Sequence, residues 1–150
     1  MVAGCGITLS DYDDAVLDGV SNLNLNKPAK ALKDFNRAIE IDPTRANAYV
    51  GRGNTLSTLG RYKEALKDYD IAIEIDPELA NAYVNRGSAY SHLGQYKKAI
   101  ADYEKGLELD PKIDDPPSFV KRLFSDDPPT EKGIRKHLEF LKQKVKEQNG

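Results

Sequence analysis

Three Asp-Pro pairs, Asp42-Pro43, Asp76-Pro77 and Asp110-Pro111, stand 34 residues apart, and that constant interval restricts the chain to architectures made by stacking one unit on the next. Residues 46–79 and 80–113 superimpose without a gap. Ala46 to Val50 repeats as Ala80 to Val84, Arg52-Gly53 as Arg86-Gly87, Leu59-Gly60 as Leu93-Gly94, and Asp68-Tyr69 as Asp102-Tyr103. A repeat array buries its core between neighbours, so the 150 residues are counted in repeats rather than domains.

Within each copy the apolar residues recur at steps of three and four, as in Leu66, Tyr69, Ile73 and Ile100, Tyr103, Leu107, which is helical periodicity. Each copy breaks once in the middle, at Asn26, Gly60 or Gly94, residue types that readily take the left-handed conformation ending a helix. A second helix is expected from Pro28, Tyr62 or Tyr96 to the Asp-Pro pair, because the residue before proline is pushed out of the helical region. Small residues at Gly19, Gly53 and Gly87 and at Ala31, Ala65 and Ala99 would let the two helices of a hairpin approach. Phe35, Tyr69 and Tyr103, four residues after those alanines, would fill the space left between them.

A net charge of −2 gives no bulk basic field for nucleic acid, and 31 % charged with 39 % hydrophobic residues fits a folded, soluble chain. No stretch approaches the roughly 20 apolar residues that span a bilayer. The single cysteine, Cys5, cannot form an internal disulfide, so packing alone must hold the fold.

Tyr49, Arg52-Gly53, Leu56, Ala65, Tyr69, Pro77 and then Tyr83, Arg86-Gly87, Tyr90, Ala99, Tyr103, Pro111 resemble the tetratricopeptide repeat over 12–113, with arginine where that family commonly has leucine. The resemblance implies an all-α solenoid of three antiparallel helix-turn-helix hairpins, 12–45, 46–79 and 80–113, within an array at 11–113 that follows a tail at 1–10. In the first copy Ala15, Asp18 and Asn22 replace Tyr49, Arg52 and Leu56, which reads as an N-terminal cap with a polar outer face. A sharper reading pairs Asp18 with Arg52. After Pro111 the pattern stops. An Asp/Pro-rich connector with a short helix is expected at 114–129. Over 130–150, Ile134, Leu138, Leu141 and Val145 form one stripe on an amphipathic capping helix, with a detachable regulatory helix as the alternative.

No residues point to catalysis or a cofactor. His92 and His137 have no Cys, His or acidic partner at metal-ligand spacing, and His92 is expected at a helix end with its ring in solvent. There is no Gly-x-Ser-x-Gly setting and no phosphate-cradling loop, and the carboxylates read as solvated faces. The lysines of 132–146, offset by glutamates, read as a solubilising face. The expectation is a non-enzymatic scaffold, without cofactor or metal, that binds a protein or peptide and neither nucleic acid nor the membrane interior, as a monomer or weak homo-oligomer.

The resemblance implies that the first helix of each hairpin lines a concave groove, here Val16, Val20 and Leu23, then Asn47, Val50, Asn54 and Ser57, then Asn81, Val84, Asn85, Ser88 and Ser91. Asparagine both donates and accepts, so it suits the backbone of an extended peptide. Asn47 and Asn81 read equally well as hydrophilic residues near a helix start, whereas Asn54 and Asn85 lie mid-helix, where asparagine is a poor choice without a function. Family members that grip a C-terminal carboxylate do so with lysines, an arginine and asparagines. The matching slots here hold Val16, Val20, Gly51, Asn81 and Asn85, so that activity is not expected.

A rival class is an assembly module that self-associates through its end or convex surface. The expected location is cytoplasmic. Val2-Ala3-Gly4-Cys5 also resembles a bacterial lipobox, which makes an envelope lipoprotein the alternative, although only Met1 precedes it.

Overall fold

The computed structural model describes residues 9–113 and 133–148. Six helices form three hairpins: α1 (Leu9–Asn24) with α2 (Pro28–Ile41), α3 (Ala46–Thr58) with α4 (Tyr62–Ile75), and α5 (Ala80–His92) with α6 (Tyr96–Leu109). A further helix, α7 (Ile134–Gln148), packs on α6. The second helices begin and end where the sequence places them. By contrast, α1 starts at Leu9, inside the expected tail, and α7 starts at Ile134. The connector at 114–129 with its short helix, and Cys5, lie outside the described residues.

The mid-copy breaks are three instances of one cap. Asn26, Gly60 and Gly94 have φ of 56°, 73° and 71°. In each case the residue's own amide bonds the carbonyl three residues back and the next amide reaches five back, as with Gly60 N to Ser57 O at 2.9 Å and Arg61 N to Leu56 O at 2.9 Å. A Cβ on Gly94 would meet nothing within 4 Å, so Gly94→Ala isolates the left-handed backbone cost. It is expected to lower stability in urea by about 1–2 kcal/mol, while Asn26→Gly leaves it nearly unchanged. Equal midpoints for wild type and Gly94→Ala would contradict this.

The aspartate of each Asp-Pro pair has its own task. Its Oδ1 accepts the amide two residues on, from Thr44 (3.0 Å), Glu78 (3.1 Å) and Lys112 (2.9 Å), so the proline ends the helix and the carboxylate holds the turn into the next repeat. A bond from Thr44 Oγ1 at 2.6 Å, with the Thr44 amide second, holds the Asp42 carboxyl below its ordinary pKa.

Inside each hairpin an aromatic ring fills the gap that glycine leaves. A Cβ on Gly53 would lie 2.6 Å from Cε1 of Tyr69, and one on Gly19 would lie 2.8 Å from Cε1 of Phe35. Phe35, Tyr69 and Tyr103 are fully buried. At the first junction α1 is held by Tyr12, whose Oη accepts the Ala48 amide at 3.2 Å, and burial raises the phenol's pKa. The Arg45 guanidinium lies 3.9 Å over the Tyr12 ring and pairs with Asp13 at 3.0 Å. First helices also touch one another across the junctions, α1 with α3 and α3 with α5.

Helix α7 takes the place of a fourth first helix. Its buried residues Ile134, His137, Leu138 and Leu141 have the spacing of Ala48, Gly51, Arg52 and Thr55 in α3, the face each first helix turns to the preceding hairpin. No second helix follows α7 among the described residues, and the slot held by Gly53 and Gly87 is an exposed glutamate, Glu139.

Candidate functional site

The inner face is built by α1, α3 and α5, and the structure divides the expected groove residues into two sets. Val20 (44 % exposed), Asn47 and Asn81 open to solvent, and Val16 and Leu23 are half-buried. Val50, Asn54, Val84, Asn85 and Ser88 are buried and form the inside of the wall. Val50 and Val84 face their own second helices, where Val84 Cγ2 lies 2.6 Å from the position a Cβ on Gly106 would take. Ser57 is also buried, and Ser91 is half-buried.

Mid-helix asparagine therefore has a structural explanation at one of its two positions. Tyr69 Oη donates to Asn54 Oδ1 at 2.8 Å, and with that proton committed Ser57 Oγ donates to Tyr69 Oη at 3.2 Å. Burial pushes the Tyr69 hydroxyl's pKa well up and the bond from Ser57 opposes it only in part. Asn85 Nδ2 and Ser88 Oγ are buried without a hydrogen-bond partner. The repeat register sets Asn54 in the slot of Ser88 and Asn85 in that of Gly51, but only the fold shows that the first of these faces the Tyr69 hydroxyl.

The carboxylates are not all solvated faces. Asp68 and Asp102 are buried, and each receives a two-pronged guanidinium. Arg52 Nε and Nη2 bond Asp68 at 2.8 and 2.7 Å, and Arg86 Nε and Nη2 bond Asp102 at 2.8 and 2.8 Å. The third arm crosses to the preceding hairpin, from Arg52 Nη1 to Asn36 at 2.9 Å and from Arg86 Nη1 to Asp70 at 2.8 Å. Bonds to Asp68 and Asp102 push both arginine pKa values further up. The expected Asp18–Arg52 pair does not form. Asp18 occupies in α1 the slot that Arg52 occupies in α3, so it faces outward, and Asp34, the counterpart of Asp68, takes a bond from Asn22 Nδ2 at 2.7 Å instead.

At the other end the wall continues onto α7. Ser91 Oγ lies 3.2 Å from Nε2 of buried His137, and that ring meets Tyr103 edge to face. Phe140, 40 % exposed, follows at 6.0 Å, with the Lys144 ammonium 5.2 Å over its ring. His92 is exposed at the end of α5, as expected, and its ring stacks on Tyr62 at 4.5 Å. Among the described residues no three His, Cys, Asp or Glu side chains gather as metal ligands would, and no helix is long and apolar enough to cross a membrane.

The inner face thus offers apolar Val16, Val20 and Leu23 at one end, the exposed amides Asn47 and Asn81 along its length, and Phe140 beyond. Among α1, α3 and α5 the only lysines or arginines are Arg52 and Arg86, both committed to aspartates.

Family models of the tetratricopeptide repeat match residues 19–45, 35–67, 53–94 and 80–113. No curated protein matches the chain in sequence. Similar solved structures include the first TPR of Spaghetti (RPAP3) bound to the HSP90 peptide SRMEEVD, 19 % identical with TM-score 0.75, over 95 % of this chain and 98 % of that one. The Sgt2 TPR domain from Aspergillus fumigatus is 25 % identical with TM-score 0.73, over 95 % and 83 %. The second TPR of Spaghetti, bound to the same peptide, is 27 % identical with TM-score 0.65, over 67 % and 93 %.

Proposed function

The chain belongs to the tetratricopeptide repeat family, and from that premise we propose that it is a non-enzymatic scaffold holding an extended, uncharged protein segment along the inner face of α1, α3 and α5. The observation that carries this reading is the lining: exposed amides at Asn47 and Asn81 follow an apolar entrance at Val16, Val20 and Leu23, with no available cation between them. Amides satisfy a peptide backbone without reading charge, and the entrance suits one aliphatic or aromatic anchor. The likeness to TPR domains solved with a bound peptide supports peptide binding as such. It does not extend to that ligand's chemistry. SRMEEVD carries three acidic side chains and a terminal carboxylate, and the exposed inner face offers them valine and asparagine side chains rather than cations.

Two measurements test this. Fluorescence polarisation with SRMEEVD is expected to show no saturable binding below about 1 mM; micromolar binding would overturn the assignment of an uncharged ligand. Peptides selected on the chain from a displayed random library are expected to lose about tenfold in affinity to Val20→Glu and to weaken with Asn81→Ala, with both variants folded by circular dichroism. Unaltered affinity in both would place the binding surface elsewhere.

A further inference from the structure

Among the described residues, no element stacks on the outer edge of α1. The slots that α3, α5 and α7 turn to the hairpin before them are Ala48, Gly51, Thr55; Ala82, Asn85, Ala89; and Ile134, His137, Leu141, all buried. In α1 the same slots are Asp14, Leu17 and Ser21, all exposed, with Leu17 at 65 % and Leu25, on the same edge, at 59 %.

The three occupied junctions define what such a face receives. At the first and third of them a ring from the preceding second helix lies against the central slot: Phe35 on Gly51, where a Cβ would come within 2.2 Å of Cε1, and Tyr103 edge to face on His137 at 5.6 Å. The residue directly after that ring then bonds a cation of the incoming first helix. Asn36 takes Arg52 at 2.9 Å, Asp70 takes Arg86 at 2.8 Å, and Glu104 takes Lys142 at 3.0 Å. In α1 the sign is reversed, because Asp18 stands in the slot of Arg52 and Arg86, with Asp14 one turn before it and no lysine or arginine anywhere in the helix.

We infer that this edge docks an amphipathic helix of a partner protein in which a large aromatic residue at mid-helix, in the position of Phe35, Tyr69 and Tyr103, is followed directly by lysine or arginine. The ring covers Leu17, the cation meets Asp18, and Leu25 extends the apolar contact along the edge. The reversed sign also selects against this chain's own second helices. The mid-helix rings Phe35, Tyr69 and Tyr103 are followed by Asn36, Asp70 and Glu104, so a second helix of another copy docked in the same register would set an amide or a like charge against Asp18.

The test uses a stapled helical peptide with the sequence of residues 62–75 carrying Lys63→Ala, so that Tyr69-Asp70 is the pair under test, and its Asp70→Lys form. Staples are needed because a 14-residue helix is marginal alone. Methyl NMR on the full chain should show saturable shifts at Leu17 and Leu25 with the lysine peptide, and about tenfold weaker binding of the aspartate peptide at low salt. Asp18→Lys in the chain should invert that preference. Absence of binding, equal binding of both peptides, or shifts confined to α3 and α5 would overturn the assignment.

Discussion

Phe35→Ala is expected to destabilise the array by about 3–5 kcal/mol. The ring is fully buried and lies between two glycines on successive first helices, Gly19 within its hairpin and Gly51 across the junction, so its loss opens a void at both contacts at once. The reciprocal change probes the same contact from the other side. A Cβ on Gly51 would lie 2.2 Å from Cε1 and 2.5 Å from Cζ of Phe35, and a fully buried ring has no free rotamer to give way. Gly51→Ala should therefore cost about 1–3 kcal/mol despite the gain of nearly 1 kcal/mol in helix propensity. In a Phe35→Leu background the clash is relieved and the same substitution should come close to neutral. Urea denaturation of the four proteins closes the cycle, and additive effects would mean that the two residues do not share one contact.

Arg86→Met is the second. Asp102, with 9 % of its side chain exposed, receives two hydrogen bonds from Arg86, and removing the cation leaves that carboxylate buried without its counter-charge. Breaking a buried pair in this way typically costs 3–5 kcal/mol; Arg86 itself is 20 % exposed, so about 2–4 kcal/mol is expected. Asp70, half-exposed, should matter much less, and Asp70→Asn should change stability by no more than about 1 kcal/mol. Adding Asp102→Asn to Arg86→Met should restore part of the loss. A change of under about 0.5 kcal/mol for Arg86→Met would show that the pair is not structurally engaged.

These two sites separate what could be read along the chain from what could not. The mid-hairpin breaks and the ends of the second helices were legible at the level of single residues, because the signals are local: a left-handed cap at Asn26, Gly60 and Gly94, and a proline that forbids continuation at Asp42, Asp76 and Asp110; the starts of α1 and α7, which carry no such signal, were not. The pairing of Gly19 and Gly53 with rings of their own hairpins was legible too, since both partners lie within one repeat. Gly51 was not, because its partner Phe35 belongs to the repeat before it. The burial of Asp68 and Asp102 was also hidden. Periodic acidic residues look like a solvated face until the guanidinium that covers them is placed from another helix.

The inner face shows the same division. Asn47 and Asn54 are the same residue type on one helix and are seven residues apart, so both were credible groove positions. The structure leaves Asn47 in solvent and sets Asn54 against the Tyr69 hydroxyl, a distinction that depends on how α3 is rolled against α4.

By itself the sequence determined the repeat length, the helix and turn of every hairpin, the family, and a lining poor in cations, because each of these is written in short-range spacing or in residue type. Only the tertiary structure decided which polar residues are buried, which arginine meets which aspartate, that α7 packs on α6 in the slot of a first helix, and that no described element covers the edge of α1. Those outcomes depend on the angle and offset between neighbouring hairpins, which no interval along the chain encodes.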